Sequence, residues 1–194
     1  MIHYDTLSDG IKADSDFSFL TRLYELSANQ GYAPAQNNLG AMFEHGIAVP
    51  QDYKEAVRLY ELSANQGYAP AQNNLGVIFE RGTGVPQDYK EAFRLYGLSA
   101  NQGYAPAQNN LGAMYSNGRG VPRDYKEGAK FIDLSAKQGF MGAQFNIAYM
   151  YENGLGVPKD YKEAIRWYEL AAKQGSAAAQ STLDLMRKSG RGVP

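Results

Sequence analysis

A 36-residue period runs through this chain without an insertion, and it leaves few folds open. Pro50, Pro86, Pro122, Pro158 and Pro194 stand 36 residues apart, as do Gly31, Gly67, Gly103, Gly139 and Gly175. So do Gly10, Gly46, Gly82, Gly118, Gly154 and Gly190. An acid–aromatic pair recurs as Asp16-Phe17, Asp52-Tyr53, Asp88-Tyr89, Asp124-Tyr125 and Asp160-Tyr161. Residues 22–40 are identical to 58–76, and 94–112 differ from them only at Gly97. Self-similarity at this period marks an architecture in which each unit buries its apolar face against the next.

Each period reads as two helices. In residues 69–104, Ala69-Pro70 suits a first helical turn, because proline lacks an N–H that would have no partner there. Ala71, Leu75 and Phe79 follow on one face at i, i+4 and i+8. Mid-helix glycine costs about 1 kcal/mol relative to alanine. Its recurrence at Gly40, Gly76 and Gly112 predicts that a neighbouring helix approaches closely. Gly82-Thr83-Gly84-Val85-Pro86 ends the first helix. Asp88 and Glu91 then spell a D-x-x-E capping box for the second. Ala92, Tyr96 and Ala100 share its apolar face, and Gly103 is its left-handed stop.

One such helix pair cannot bury its own apolar face, so neighbours must stack. The expected fold is all-α: an α/α superhelix, or solenoid, of stacked helix pairs. Residues 1–15 fit the period only through Leu7 and Gly10 and are expected to be a leader or degenerate cap. Residues 16–194 are expected to form one solenoid, with repeats near 33–68, 69–104, 105–140 and 141–176 and a terminal helix over 177–189. Ser181, Thr182 and Asp184 stand where inner copies carry Asn, Asn and Gly, which suits an end cap with no helix stacked on it. The alternative is a longer array cut at a repeat boundary.

Composition narrows function mainly by exclusion. The chain carries 19 basic and 20 acidic residues, a net charge of -1. That is no electrostatic footprint for nucleic acid or an anionic membrane. With no cysteine, disulfides and thiolate metal sites are excluded. Met1-Ile2-His3-Tyr4-Asp5 has neither the basic nor the apolar region of a signal peptide. No apolar run approaches the ~20 residues of a spanning helix. The expectation is a cytoplasmic protein as it stands, or an exported one if a leader has been removed. It is expected to be monomeric, with no membrane insertion and no cofactor.

Catalytic constellations are absent. The two histidines, His3 and His45, have no second ligand at metal spacing. No G-x-S-x-G, S-x-x-K, Walker A or H-E-x-x-H occurs. The acid pairs Asp52/Glu55, Asp88/Glu91, Asp124/Glu127 and Asp160/Glu163 recur with every repeat. A cap is needed at every helix, whereas an active site is needed once. Most of the 15 tyrosines occupy fixed repeat positions and read as packing.

The motif residues resemble the Sel-one-like repeat (SLR) family, relatives of the tetratricopeptide repeats. Ala71-Gln72, Leu75-Gly76, Phe79, Gly82, Gly84-Val85, Asp88, Ala92, Tyr96, Ala100 and Gly103 match its pattern, and the match spans residues 16–194. Ala48 replaces a loop glycine, Gly128 a helix alanine, and Ala148 and Asp184 the helix glycine. Gly128 is expected to weaken its helix slightly. The resemblance implies a right-handed superhelix and a non-enzymatic scaffold or adaptor that binds a protein or extended peptide. Its alternative is β-lactam binding or hydrolysis, by analogy with disulfide-rich members whose cysteines this chain lacks.

The resemblance also implies a concave groove lined by the first helix of each pair. The groove positions would be Asn37, Asn73, Asn109 and Phe145; Ala41, Val77, Ala113 and Tyr149; and Glu44, Glu80, Ser116 and Glu152. Asn38, Asn74, Asn110 and Asn146 lie beside them. Regular asparagines suit the main chain of an extended peptide; alternatively they are solvated or hold neighbouring helices together. A position carrying Asn three times and Phe once reads as free of core packing, with Phe145 and Tyr149 as an anchor pocket. On the second helices, Arg22, Arg58, Arg94, Lys130 and Arg166 are expected to pair with acidic residues three positions on, such as Glu61 and Glu169.

Overall fold

The computed structural model describes residues 19–192, so the leader expected over 1–15, His3, Gly10 and Pro194 lie outside the described residues. Among those residues every regular element is a helix. α1 covers residues 19–29. The others are α2 (Ala33–His45), α3 (Tyr53–Asn65), α4 (Ala69–Arg81), α5 (Tyr89–Asn101), α6 (Ala105–Asn117), α7 (Tyr125–Lys137), α8 (Met141–Asn153), α9 (Tyr161–Lys173) and α10 (Ala177–Lys188). Even-numbered helices are the first of each pair and odd-numbered helices the second. The architecture is an all-α solenoid of stacked repeats.

The described residues divide into two compact units, 19–87 and 88–192. In the first, α2 packs on α3 and α3 on α4, with α2 beside α4. In the second, each helix from α5 to α10 packs on the next, with α6 beside α8. Met42, Leu39 and Leu59 anchor an apolar cluster in the first unit. Ile132, Ile147, Met150, Trp167, Tyr168, Leu183 and Met186 anchor a larger one in the second.

The second helices start as the sequence predicts, with one difference. Asp52 Oδ1 accepts from the N–H of Lys54 (2.9 Å) and of Glu55 (3.1 Å). Asp88, Asp124 and Asp160 repeat the cap. The reciprocal half of the capping box is not made. Glu55 turns instead to Arg58, and the Asp52 N–H donates to Phe43 O at 2.9 Å. The backbone donor is satisfied by the preceding helix, so the glutamate is released for an ion pair.

The mid-helix glycines do mark close approaches. A Cβ at Gly40 would lie 3.0 Å from the Tyr60 ring and 3.3 Å from Ala56 O. At Gly112 it would lie 2.6 Å from Ile132 Cγ1 and 2.7 Å from Gly128 O. Gly128 is therefore more than a weak point in its helix. A Cβ there would meet Ser116 Oγ and come within 2.9 Å of Gly112 O, so α6 and α7 cross glycine to glycine. Ala148, at the same register as Gly112, fits its methyl group into a fully buried site. Asp184, again at that register, is exposed.

Ala48 carries the cost of losing its loop glycine. Its φ is 59°, in the left-handed region where an L side chain crowds the following carbonyl. Ala48→Gly should therefore stabilise the protein by roughly 0.5–1 kcal/mol, the relieved strain less the extra chain entropy. Gly112→Leu should destabilise by about 1–3 kcal/mol through overpacking, and Asp184→Leu by less than about 0.5 kcal/mol. Urea melts of the three variants check this; a Gly112→Leu midpoint equal to wild type would refute the close crossing.

Candidate functional site

Within each unit the first helices lie side by side and their asparagines join them. Asn74 Nδ2 donates to Asn37 Oδ1 at 3.0 Å. Asn146 Nδ2 donates to Asn109 Oδ1 at 2.8 Å. Asn37 Nδ2 also donates to Asn38 Oδ1 at 3.1 Å. Asn37 and Asn73 are only 7% and 6% exposed. Asn74, Asn109, Asn110 and Asn146 are half-buried, and Asn38 is exposed.

The reading that position 37/73/109/145 is free of packing does not hold. Two of its asparagines are buried, and the Phe145 ring sits edge-on to Tyr168 with centroids 5.3 Å apart. Asn37, Asn73 and Asn109 meet that packing with amide bonds, and the half-buried Phe145 with a ring contact. Phe145 and Tyr149 accordingly do not form one anchor: Phe145 faces the core cluster, whereas Tyr149 is 50% exposed.

Below this row the Glu44/Glu152 register meets the second helices. Tyr60 OH donates to Glu44 Oε2 at 2.7 Å in the first unit, and Tyr168 OH donates to Glu152 Oε2 at 3.0 Å in the second. Burial, reinforced by the carboxylate bond, pushes both phenols well above the ordinary tyrosine range. The third pair departs from this arrangement at both ends. Ser116 stands where Glu44 and Glu152 do, and Ile132 where Tyr60 and Tyr168 do. The Ser116 hydroxyl folds back to donate to Gly112 O at 2.8 Å.

At that place the second unit has a solvent-open cleft of about 280 Å³. Ala113, Ser116 and Asn117 of α6 line one side, and Asn146, Tyr149 and Met150 of α8 the other. Ile132, Tyr125 and Leu155 complete it. Of the residues singled out from the sequence, Ala113, Ser116, Asn146 and Tyr149 are brought together here. Ile132, Met150, Tyr125, Asn117 and Leu155 were missed. The available signal was Ile132, which breaks a column of tyrosines in the same repeat in which Ser116 breaks a column of glutamates.

The second helices carry a different chemistry. Arg58, Arg94, Lys130 and Arg166 pair with Glu55, Glu91, Glu127 and Glu163, at 2.6, 2.6, 3.2 and 2.9 Å. The partners lie three residues before each cation, not three after, because those glutamates were released from capping. Such exposed pairs contribute at most about 1 kcal/mol each. No group of metal-ligating side chains occurs among the described residues, and no described helix is long and apolar enough to cross a membrane.

The Sel1 repeat family model matches four consecutive segments, residues 33–68, 69–104, 105–140 and 142–176. The chain belongs to the Sel1 repeat family. A protective antigen of uropathogenic Escherichia coli displaying an SLR fold is 38% identical, with a TM-score of 0.84 over 89% of this chain and 37% of its own. A Sel1 repeat protein from Oxalobacter formigenes is 32% identical, with a TM-score of 0.83 over 90% of this chain and 69% of its own. Cysteine rich protein B of Helicobacter pylori shares the fold at 20% identity, with a TM-score of 0.55 over 69% of this chain and 96% of its own. No curated protein matches the sequence. The Sel1 repeat fold serves protein interaction in general and is generally a non-enzymatic scaffold.

The buried phenols give the Sel1 stack a pH signature. Their ionisation is suppressed only in the folded chain, so the unfolded chain releases those protons first, near the ordinary tyrosine value of about 10. Stability from this source is therefore intact below about pH 10 and falls above it, by up to about 1.4 kcal/mol per pH unit for each phenol. Tyr60→Phe/Tyr168→Phe should flatten that decline. Urea melts at about pH 8 and pH 11 test it; an equal alkaline loss in wild type and double variant would contradict the buried pairs.

Proposed function

We propose that this protein is an adaptor that binds a protein or extended peptide along its first helices, with the α6–α8 cleft as the principal contact in the second unit. The observation that carries this reading is the break in the repeat. Tyr149 stays half exposed beside a cleft that the chain's own side chains leave open. Exposed aromatic residues beside a concavity are the usual anchors of binding energy. The asparagines join neighbouring first helices, one of the roles their spacing left open. Asn109 and Asn146 hold α6 and α8 in register, so they shape the face as well as offering amides to a ligand's main chain.

An enzymatic reading has no comparable support. The likeness to the Helicobacter protein carries the fold alone, and the β-lactam analogy rests on disulfide-rich chains, while this one has no cysteine. Purified protein should show no saturable turnover of nitrocefin.

The direct test is titration of a captured partner against Tyr149→Ala. The exposed ring makes this variant cleaner than Phe145→Ala, which would also disturb Tyr168. Affinity should fall about tenfold or more, or at least ~1.4 kcal/mol, with an unchanged melting temperature. Wild-type affinity would exclude the α8 face. Asn109→Phe, by contrast, should lower the melting temperature, because Asn146 loses its acceptor.

A further inference from the structure

The third repeat differs from its neighbours in a coordinated way. In the first unit the Glu44 carboxylate and the Tyr60 phenol meet across the helix pair at 2.7 Å. In the last pair Glu152 takes the phenol of Tyr168, and Arg191 adds an ion pair at 3.6 Å. Both places are filled and charged. Between them Ser116 and Ile132 replace the pair together, although they lie 16 residues apart on different helices. A single replacement would leave a phenol or a carboxylate without its partner, which is unfavourable for a buried group. Replacing both removes the polar pair and leaves space. Gly128 then lets α7 close tightly on α6 at Gly112, so the space persists on the α8 side.

The resulting cleft contains no charged side chain, in contrast to the carboxylates at the same register of the other pairs. Ala113 and Leu155, with the buried Ile132 and Met150, supply the apolar part of its lining, Ser116, Asn117 and Asn146 supply uncharged polar groups beside them, and Tyr149 is the exposed aromatic ring. Its volume of about 280 Å³ is at the small end for ligand sites. A charged group entering it would lose water and gain no counter-ion. A leucine-sized or phenylalanine-sized side chain would displace water from the apolar part of the lining and leave no charge unpaired.

We propose that the α6–α8 cleft is a selectivity pocket for one uncharged apolar side chain of the bound peptide, created by the paired substitutions Ser116 and Ile132. The proposal rests on the reading of the first helices as the partner-binding face, and it adds what that face selects. At Glu44 and Glu152 the equivalent place holds a carboxylate bonded to a phenol, which disfavours such a side chain there.

The probes are N-acetyl-leucinamide, N-acetyl-phenylalaninamide and N-acetyl-glutamate amide, titrated into the full chain carrying labelled Ile and Met methyl groups. The two apolar amides should shift the Ile132 and Met150 methyl resonances saturably, and the glutamate probe should not. Ala113→Tyr should weaken apolar binding about tenfold or more by filling the mouth. The fold already accepts tyrosine at that register, as Tyr149. Ser116→Glu/Gly128→Ala/Ile132→Tyr, which rebuilds the pair found in the first unit, should abolish the shifts and retain the helical stack. No saturable shift with the apolar amides, equal shifts with the glutamate probe, or unchanged binding to folded Ala113→Tyr would each overturn the pocket. If the amides fail while Tyr149→Ala still weakens the partner complex, the pocket falls and the binding face stands. If Tyr149→Ala has no effect either, both fall.

Discussion

Buried Gln36, Gln108 and Gln144 each hold the ends of three helices together. Gln36 Nε2 donates to Ala28 O, near the end of α1, at 3.1 Å, and its Oε1 accepts from Gln66 at the end of α3 at 2.7 Å. It is itself on the first turns of α2. In the second unit, Gln138 and Gln174 donate at 2.7 Å to Gln108 and Gln144. Ser63 and Ser135 add bonds of 2.7 Å to the carbonyls of Ala33 and Ala105. Helix ends carry backbone groups with no partner inside the helix, and a buried end without partners is costly. The glutamine satisfies such a carbonyl while fixing the spacing of successive pairs. Gln36, Gln72, Gln108 and Gln144 are all buried.

With the pairs tied at this end, the outer row of the first helices is left half-buried to exposed. It varies as Ala41, Val77, Ala113 and Tyr149, whereas the buried Ala35, Ala71, Ala107 and Ala143 and the glutamines that follow them stay the same. That division explains how near-identical repeats present a non-uniform surface. Local chemistry is set at the positions where a repeat departs from the others, and Ser116, Gly128, Ile132 and Tyr149 are four such departures in the second unit. The second helices meanwhile expose regular Arg–Glu pairs, which solvate the array without favouring one partner.

The helices, their caps and the close crossings at Gly40 and Gly112 were legible in the sequence, because each follows from periodicity and local backbone chemistry. Choices between competing partners were less legible. Glu55 is equally placed to cap or to pair with Arg58, and the outcome depends on Phe43 O reaching the Asp52 N–H first. Sequence spacing likewise shows Asn37 on an outward row, but not that Asn74 from the next first helix covers it. The cleft required knowing that residues 116 and 132 meet across two helices, a tertiary fact that the 36-residue period does not contain. Taken singly, Ser116 and Ile132 are ordinary substitutions, and only their juxtaposition turns them into a surface feature.

The central claim is that recognition occurs on the first helices rather than on the salt-bridged second helices. Photocrosslinking addresses it at two exposed sites, Tyr149→benzoylphenylalanine on α8 and Arg166→benzoylphenylalanine on α9. With a partner bound, the account predicts a covalent adduct from position 149 and none from position 166. An adduct from 166 with none from 149 would contradict it.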